Sequence, residues 1–341
     1  GEFPPPFFIM GCQGSGNNLV GLILARHSRI SVYLGTHYYV LFAADRHRYG
    51  DLRRSSNLTR LIRDFAEISR VRVPRTPAPA EILEALVEPT FEGVLTAFLH
   101  SYAQAQGAAR VGERTSQHYL YLSEILAGFP ESPVIFMTRD PRDTAFTLRA
   151  GLGTGLDGSV RAWNRAFNSY VEAARPVHLV RYEDLVQTPV DTVEGICAFL
   201  GERYEPVMLR FFEQTPAHFQ ALPHHRRLFR PLDTSSVGVF RQLSAEDVET
   251  IEASCAEGME AWGYPFTTSR TERRLTRPVE QRGPTLGALT DRLRYYRWNW
   301  ERWRPGLVRW KIVLRVRVRY LLHLGFVRKD YPGLHAATRR V

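Results

Sequence analysis

Phe7-Phe8-Ile9-Met10-Gly11-Cys12-Gln13-Gly14-Ser15-Gly16-Asn17-Asn18-Leu19 is the stretch that decides the fold. Its four consecutive apolar residues have the character of a strand buried on both faces in a parallel sheet. A glycine-punctuated turn follows. From Asn17 to Arg26 the apolar residues Leu19, Val20, Ile23 and Leu24 fit a helix packed on that strand. Strand, glycine turn and helix together make an anion cradle, because backbone N–H groups and the helix N-terminus converge on one spot. The spacing of Gly11 and Gly16 invites a nucleoside-triphosphatase reading. That chemistry needs a Lys and a Ser or Thr where this chain has Asn17 and Asn18. The cradle is therefore set for an anion, without provision for a magnesium triphosphate.

Beyond the cradle, Ile30 to Tyr33 reads as a second strand, ending in Leu34-Gly35-Thr36-His37-Tyr38-Tyr39. Residues 40–108 are helical and loop-rich, with helical periodicity at Leu58–Ile68 and Ala80–Leu86 and with Pro74, Pro77 and Pro79 between them. A segment of this length between two strands of one sheet reads as a cap on the acceptor side. Ala109-Arg110-Val111-Gly112-Glu113-Arg114-Thr115-Ser116-Gln117-His118 is a brief strand or turn leading into a helix at Tyr119–Ala127.

A second constellation is Pro133-Val134-Ile135-Phe136-Met137-Thr138-Arg139-Asp140-Pro141-Arg142-Asp143. An apolar strand ends at Arg139 and a helix starts at once. Asp140 suits the N-cap, Pro141 the first helical position and Asp143 the third, in the manner of a capping box. Arg139 thereby stands at a strand's carboxyl end, where open α/β sheets bind ligands. Thr147, one turn beyond Asp143, brings a hydroxyl to the same place. Val177-His178-Leu179-Val180-Arg181-Tyr182 is a further strand, and after Pro189 a helix at Thr192–Leu200 stops at Gly201. Strands alternating with helices specify a parallel sheet.

The chain has 341 residues, 44% hydrophobic and 23% charged, an ordinary globular balance that supports a sizeable core. Cys12, Cys197 and Cys255 are too scattered for a disulfide framework or a metal cluster, which points to a reducing, cytoplasmic setting. No run is long enough to span a bilayer. The net charge of +10 is uneven. Residues 265–341 hold 19 Arg/Lys against 5 Asp/Glu, whereas the preceding residues hold 26 against 30. Lysine occurs only at Lys311 and Lys329, a bias expected of a GC-rich bacterial genome.

The order of these motifs, Gly-x-x-x-Ser-Gly, then Arg139-Asp140-Pro141-Arg142-Asp143, then Val180-Arg181-Tyr182-Glu183-Asp184-Leu185, then Phe199-Leu200-Gly201, resembles the sulfotransferases that use 3′-phosphoadenosine 5′-phosphosulfate (PAPS). The resemblance extends over residues 7–264, through Ser236-Val237-Gly238-Val239-Phe240-Arg241-Gln242-Leu243-Ser244 to Trp262-Gly263-Tyr264. It implies transfer of a sulfuryl group from PAPS to a hydroxyl or amine, with no metal required. Gly11, Gln13, Gly14, Ser15, Gly16, Asn17 and Asn18 would hold the 5′-phosphosulfate. Arg139 and Thr147 would grip the 3′-phosphate, joined by Arg226, Arg227 or Arg241. Arg114 falls where relatives have a catalytic Lys.

Two departures stand out. Gly14 replaces the family's usual loop cation, and Asn17-Asn18 replaces its hydroxyl pair; Asn still donates hydrogen bonds but brings no charge. Either Arg114 supplies the missing cation, the reading favoured here, or transfer is weak or absent. For the general base the order of preference is His37, then His118, since an imidazole titrating near 6.5 suits proton abstraction at neutral pH. The alternative is a non-catalytic nucleotide-binding or scaffold protein on the same fold. A phosphate-transferring kinase is disfavoured by Asn17 and Asn18.

The expected architecture is a three-layer α/β domain at residues 4–264, with a central mostly parallel sheet, a helical cap at about 40–108 and a basic extension at 265–341. In that extension Tyr295, Tyr296, Trp298, Trp300 and Trp303 lie among arginines, and residues 307–324 are apolar but Arg-bearing. Interleaved Trp, Tyr and Arg across 285–324 fit an anionic membrane surface. A nucleic-acid surface is the disfavoured rival, and an arm packing on a second subunit of a homodimer the plainer reading. The acceptor is a small molecule, lipid or glycan. Tyr38-Tyr39-Val40-Leu41-Phe42 reads as core more readily than as an aromatic acceptor site.

Overall fold

The apolar run at the start of the chain forms the central strand of a five-stranded sheet. A computed structural model describes residues 3–70, 75–216, 219 and 223–269. Strands β1 (Phe7–Gly11), β2 (Ile30–Tyr33), β3 (Arg110–Arg114), β4 (Val134–Thr138) and β5 (His178–Arg181) are arranged in the order β2-β3-β1-β4-β5. All four pairings are parallel, with Ile9 opposite Arg114 on one side and Ile135 on the other. The carboxyl ends of β1, β3 and β4 therefore stand side by side. The chain leaves β1 toward β2 and later returns to β4 on the opposite side, so the strand order reverses beside β1, the place where open sheets hold ligands.

Alternation along β1 sends its side chains into two cores. Phe7 and Ile9 pack with α1 (Asn17–Leu24), α9 (Tyr182–Gln187), α10 (Pro189–Leu200) and the 3-10 segment Pro206–Gln214. Phe8 faces the other way, its ring centroid 5.0 Å from that of Phe129, while Phe136 of β4 lies 5.4 Å from Tyr170 and 6.4 Å from Trp262. That second layer contains α6 (Leu122–Gly128), α7 (Pro141–Leu152), α8 (Leu156–Val171), α11 (Ala245–Ser254) and α12 (Ala256–Ala261). Phe7, Phe8, Ile9 and Met10 are all 0% exposed, as a strand covered on both faces requires.

Between β2 and β3 the chain makes α2 (Tyr38–Phe42), a 3-10 segment Ala43–Tyr49, α3 (Ser55–Arg70), α4 (Pro79–Glu84) and α5 (Phe91–Ala105). Tyr38 is buried among Phe42, Phe65 and Phe91, and Tyr33 of β2 packs edge-on against Phe98 and Tyr102. The aromatic stretch 38–42 is thus core of this helical insertion.

Some local expectations shift. The stretch around Arg110–Arg114 is an interior strand, because β2 and β1 pair on either side of it. Tyr182, expected to end a strand, begins α9. The helix expected at Tyr119–Ala127 starts as a 3-10 turn, Ser116–Tyr121, before α6. Asp140 does cap α7 by accepting the N–H of Arg142, but Asp143 does not close a capping box. Its carboxylate reaches across to Gly238 and Phe240, while Glu183 accepts the N–H of Asp140. Among the described residues no helix is long and apolar enough to cross a membrane. Of the basic extension 265–341 only residues 265–269 are described; the stretch 285–324, expected to suit an anionic membrane surface, lies outside the described residues.

Candidate active site

The cradle forms as its composition requires. Gly11, Gly14 and Gly16 have φ of 143°, 85° and 91°, and Gly16 precedes α1 in a left-handed conformation. Asn17 folds back, its amide donating to the carbonyl of Cys12 at 2.9 Å, which braces the turn from within. Ser15 is 0% exposed, and among the described residues neither its hydroxyl nor the side-chain oxygens of Asn17 and Asn18 has a hydrogen-bond partner. Buried polar atoms are ordinarily satisfied, so this hydroxyl beside a helix N-terminus is a candidate ligand contact. Cys12, at the loop's base, is a buried thiol whose pKa desolvation pushes up to about 12, which leaves it unreactive.

At Gly14 the φ of 85° would strain any side chain, although a Cβ there would make only ordinary contacts with Thr144 and Leu148 of α7, at 3.6–3.7 Å. The positive charge around the loop comes from strand ends. Arg139, 4% exposed, donates from Nη1 to the carbonyl of Gly14 at 3.0 Å and to Thr147 Oγ1 at 3.1 Å, and from Nη2 to the carbonyl of Ser236 at 2.6 Å. Its guanidinium lies 4.5 Å from the centre of the Tyr182 ring, and that ring also bounds Gly16. Trp163 Nε1 donates to the carbonyl of Arg139 at 2.9 Å, fixing the backbone beneath the guanidinium. Arg139, Thr147 and the loop are one unit. Arg114, 9% exposed at the end of β3, runs beside α1, its Cγ 3.5 Å from where Gly21 would place a Cβ.

The segment 223–242 closes over this unit. Asp143 Oδ2 accepts from Gly238 N and Oδ1 from Phe240 N, both at 2.8 Å. Asn18 Nδ2 lies 3.0 Å from His225 Nε2; an amide nitrogen only donates, so the imidazole accepts there. Arg226 and Arg227 are exposed on the 3-10 segment Pro223–Phe229, and Arg227 is engaged by Asp233 at 3.2 Å and by Ser235. Arg241, also exposed, bonds the carbonyl of Gly238 at 3.3 Å and lies over the Phe240 ring.

The other side of the site joins the ends of β2 and β3. His37 has a left-handed backbone, φ 52° and ψ 25°, and its N–H donates to Thr115 Oγ1 at 3.0 Å. The imidazole turns back over Gly35, where a Cβ would lie 3.2 Å from His37 Nε2. Strained backbone of this kind persists only where its surroundings enforce it, and it clusters at functional sites. His118 is placed otherwise. It is 0% exposed, Nδ1 lies 2.9 Å from Glu113 Oε2, and the rings of Phe8 and Tyr39 flank it. His27 is remote, at the far end of α1, where Nε2 donates to the carbonyl of Arg203 at 2.8 Å.

Sequence reasoning passed over several residues that build this site. Asp143 was read only as a capping-box residue, and Tyr182 and Glu183 stood inside the quoted motifs without a role. Glu113 and Thr115 flank Arg114 and were not singled out. Their neighbourhood in sequence was the available signal; their partners Asp140, Thr36, His37, Gly238 and Phe240 are 43 to 97 residues away, which spacing does not show. Among the described residues no group of three His, Cys, Asp or Glu is arranged to hold a metal.

A family model described as the sulfotransferase family matches residues 5–206. Among solved structures, the sulfotransferase domain of the olefin synthase from Synechococcus PCC 7002 is 18% identical, covering 78% of this chain and 97% of that one with a TM-score of 0.48. The sulfotransferase domain from the curacin biosynthetic pathway is 17% identical over 80% and 96%, with a TM-score of 0.45. Sulfotransferase STF9 from Mycobacterium avium is 12% identical over 79% of each chain, with a TM-score of 0.43. No curated protein sequence matches.

Proposed function

Because the chain belongs to the sulfotransferase family, we propose that it moves a sulfuryl group from PAPS to a hydroxyl or amine of a small-molecule, lipid or glycan acceptor, with His37 as general base. The observation that carries this reading is the Arg139 unit: one buried guanidinium bonded at once to the glycine loop, to Thr147 and to the carbonyl of Ser236. An arginine so placed recognises a phosphate with planar, directed donors.

The residues present suit the donor. The backbone N–H groups from Gly14 to Asn18, with the buried Ser15 hydroxyl and the Asn17 and Asn18 side chains, hold its 5′-phosphosulfate. Arg139 and Thr147 hold the 3′-phosphate. Arg226, Arg227 and Arg241 sit on the segment that closes over them. When bound, the donor supplies a sulfuryl group whose departure leaves negative charge on a phosphate oxygen. Arg114, beside α1, meets that charge in place of a cation at Gly14, together with fixed N–H donors. His37 takes the acceptor's proton at Nε2, close to the ends of β2 and β3, which keeps the base and Arg114 at the same end of the sheet. The helical segment 40–108 forms the acceptor's wall. The basic stretch 285–324 gives the protein a means of working at an anionic membrane, and removal of 265–341 would then abolish binding to anionic vesicles.

Calorimetric titration with 3′-phosphoadenosine 5′-phosphate (PAP) tests the assignment, with AMP and magnesium ATP as controls. Tight binding that requires the 3′-phosphate and is lost in Arg139→Ala supports it. Indifference to the 3′-phosphate overturns it. Binding without turnover of PAPS on any acceptor would favour the non-catalytic reading that Gly14 motivates.

A further inference from the structure

Glu113 has no part in the transfer, yet it is a fully buried carboxylate with one oxygen hydrogen-bonded and the other set against His118. Oε1 accepts from Thr36 N at 2.9 Å, Thr36 Oγ1 at 2.8 Å and Thr115 Oγ1 at 2.5 Å, and Oε2 faces His118 Nδ1 at 2.9 Å. Burial alone pushes a carboxyl toward its neutral form. Here His118 and the two hydroxyls outweigh burial and hold Glu113 below the usual carboxylate range. The group is an anion, and an anionic carboxylate only accepts.

That fixes the direction of every hydrogen bond around it. Each threonine hydroxyl has one proton and must give it to Glu113, leaving its lone pairs for backbone donors. Thr115 Oγ1 accepts the N–H of His37 at 3.0 Å, and Thr36 Oγ1 accepts the N–H of Tyr38 at 3.2 Å. Glu113 thereby satisfies three successive backbone donors: Thr36 directly, His37 through Thr115 and Tyr38 through Thr36. Those of His37 and Tyr38 are among the donors that a helix leaves without partners at its start, and the helix is α2, with His37 at its N-cap. Helix α2 has no side-chain cap of its own at that residue; a carboxylate from the neighbouring strand does the work.

We infer that Glu113, acting through Thr115, is a positioning device for the base: it holds His37 in the left-handed conformation that turns the imidazole over Gly35. The inference rests on the reading of His37 as base. It also gives His118 a role other than proton abstraction. Fully buried between Phe8 and Tyr39, His118 holds Glu113 from beneath and acts as a positioning residue. The arrangement explains why Glu113, Arg114 and Thr115 occur in succession: alternate residues of a strand end face opposite sides, so Arg114 is turned toward α1 while its neighbours grip the start of α2.

Thr115→Val tests this, because valine keeps the shape and removes the hydroxyl; Thr115→Ser restores it. Three quantities are read for each variant: hydrogen exchange at the His37 amide in the ligand-free protein, PAP affinity by calorimetry, and release of PAP from PAPS with 2-naphthol as the acceptor probe and with water alone. Thr115→Val is expected to speed exchange at His37 at least tenfold and to lower kcat at least tenfold, with PAP affinity within twofold. Thr115→Ser is expected to recover both. Unchanged exchange and turnover in Thr115→Val would overturn the inference. His37→Ala separates the two ideas. If it loses turnover while Thr115→Val does not, positioning fails and the base stands; if it keeps turnover, the base reading and the positioning role fall together. Should Thr115→Val not fold, Glu113→Gln, which sets an amide donor against the same donors, is read by the same measures.

Discussion

Asp143 and Gly238, 95 residues apart, are joined by a 2.8 Å hydrogen bond from the glycine N–H to Oδ2, with Phe240 N held equally closely by Oδ1. The first turn of α7 thus holds the segment that closes over the loop. An asparagine can replace one of these two acceptors, and its amide then opposes the other N–H. A buried donor left without a partner costs about 1–3 kcal/mol. Asp143→Asn is therefore expected to weaken PAP binding about tenfold while leaving far-ultraviolet circular dichroism unchanged. Calorimetry beside a wild-type control decides it.

Arg139 is not exchangeable for lysine. Its two terminal nitrogens reach three acceptors on three different segments, the carbonyls of Gly14 and Ser236 and the hydroxyl of Thr147. A lysine ammonium lacks the planar fork that spans them. Losing charge-assisted contacts at about 1.5–3 kcal/mol each, Arg139→Lys is expected to lower PAP affinity at least tenfold, and Arg139→Ala further. Equal affinity for PAP in wild type and Arg139→Lys would mean that the 3′-phosphate lies elsewhere.

Gly35 is the sharpest test of where the base sits. With φ of 108°, an alanine there is strained, and its Cβ would press on His37 Nε2 at 3.2 Å. Strain of this type costs about 1–3 kcal/mol, spread between stability and the displaced imidazole. The expected outcome for Gly35→Ala is a kcat at least tenfold lower with PAP affinity unchanged. Steady-state kinetics with PAPS, alongside PAP titration, separates displacement of the base from damage to the cradle.

The cradle was legible because it is local: a β strand, a glycine turn and a helix are specified by neighbours in sequence, and Asn17 bonds only five residues back. Arg139 was legible for the same reason, being placed by the strand before it and by the proline after it. What sequence reading missed depends on distant partners. Asp143 resembled the third residue of a capping box, and nothing local shows that Gly238 and Phe240 outcompete the N-cap N–H for it, or that Glu183 takes over that N–H. His118 resembled a base because it follows Arg114 closely. Its burial depends on Phe8 and Tyr39, which come from β1 and the helical insertion. Period and spacing state which residues share a face, and they leave open which face the tertiary structure covers.

Glu252 fixes the far side of α7 and makes the protein's acid stability testable. The carboxylate is 0% exposed and meets Arg142 Nη1 at 2.5 Å, the N–H and hydroxyl of Thr267 at 2.9 and 2.7 Å, and those of Thr268. Arg142 in turn bonds Asp140, the cap of α7. Burial opposes ionisation of Glu252, but the threonine donors outweigh it and hold its pKa below the usual value, as His118 with two threonine hydroxyls does for Glu113. A carboxyl depressed in the folded state stabilises the fold above its unfolded pKa, near 4.3, and that stabilisation is lost as pH falls through the lower folded value. Asp143 and Glu183, both raised chiefly by burial, slope the opposite way. Thermal unfolding followed from pH 7 to pH 3 is expected to show wild type losing stability below about pH 4.3. Glu252→Gln opposes an amide to the Thr268 donors and leaves Arg142 with Asp140 but without its Glu252 carboxylate; breaking a buried pair costs about 3–5 kcal/mol, or a Tm roughly 10 °C lower. It also removes one titrating group, so its acid loss is shallower. A variant that unfolds at the wild-type temperature would show that the Arg142–Glu252 pair adds nothing to stability.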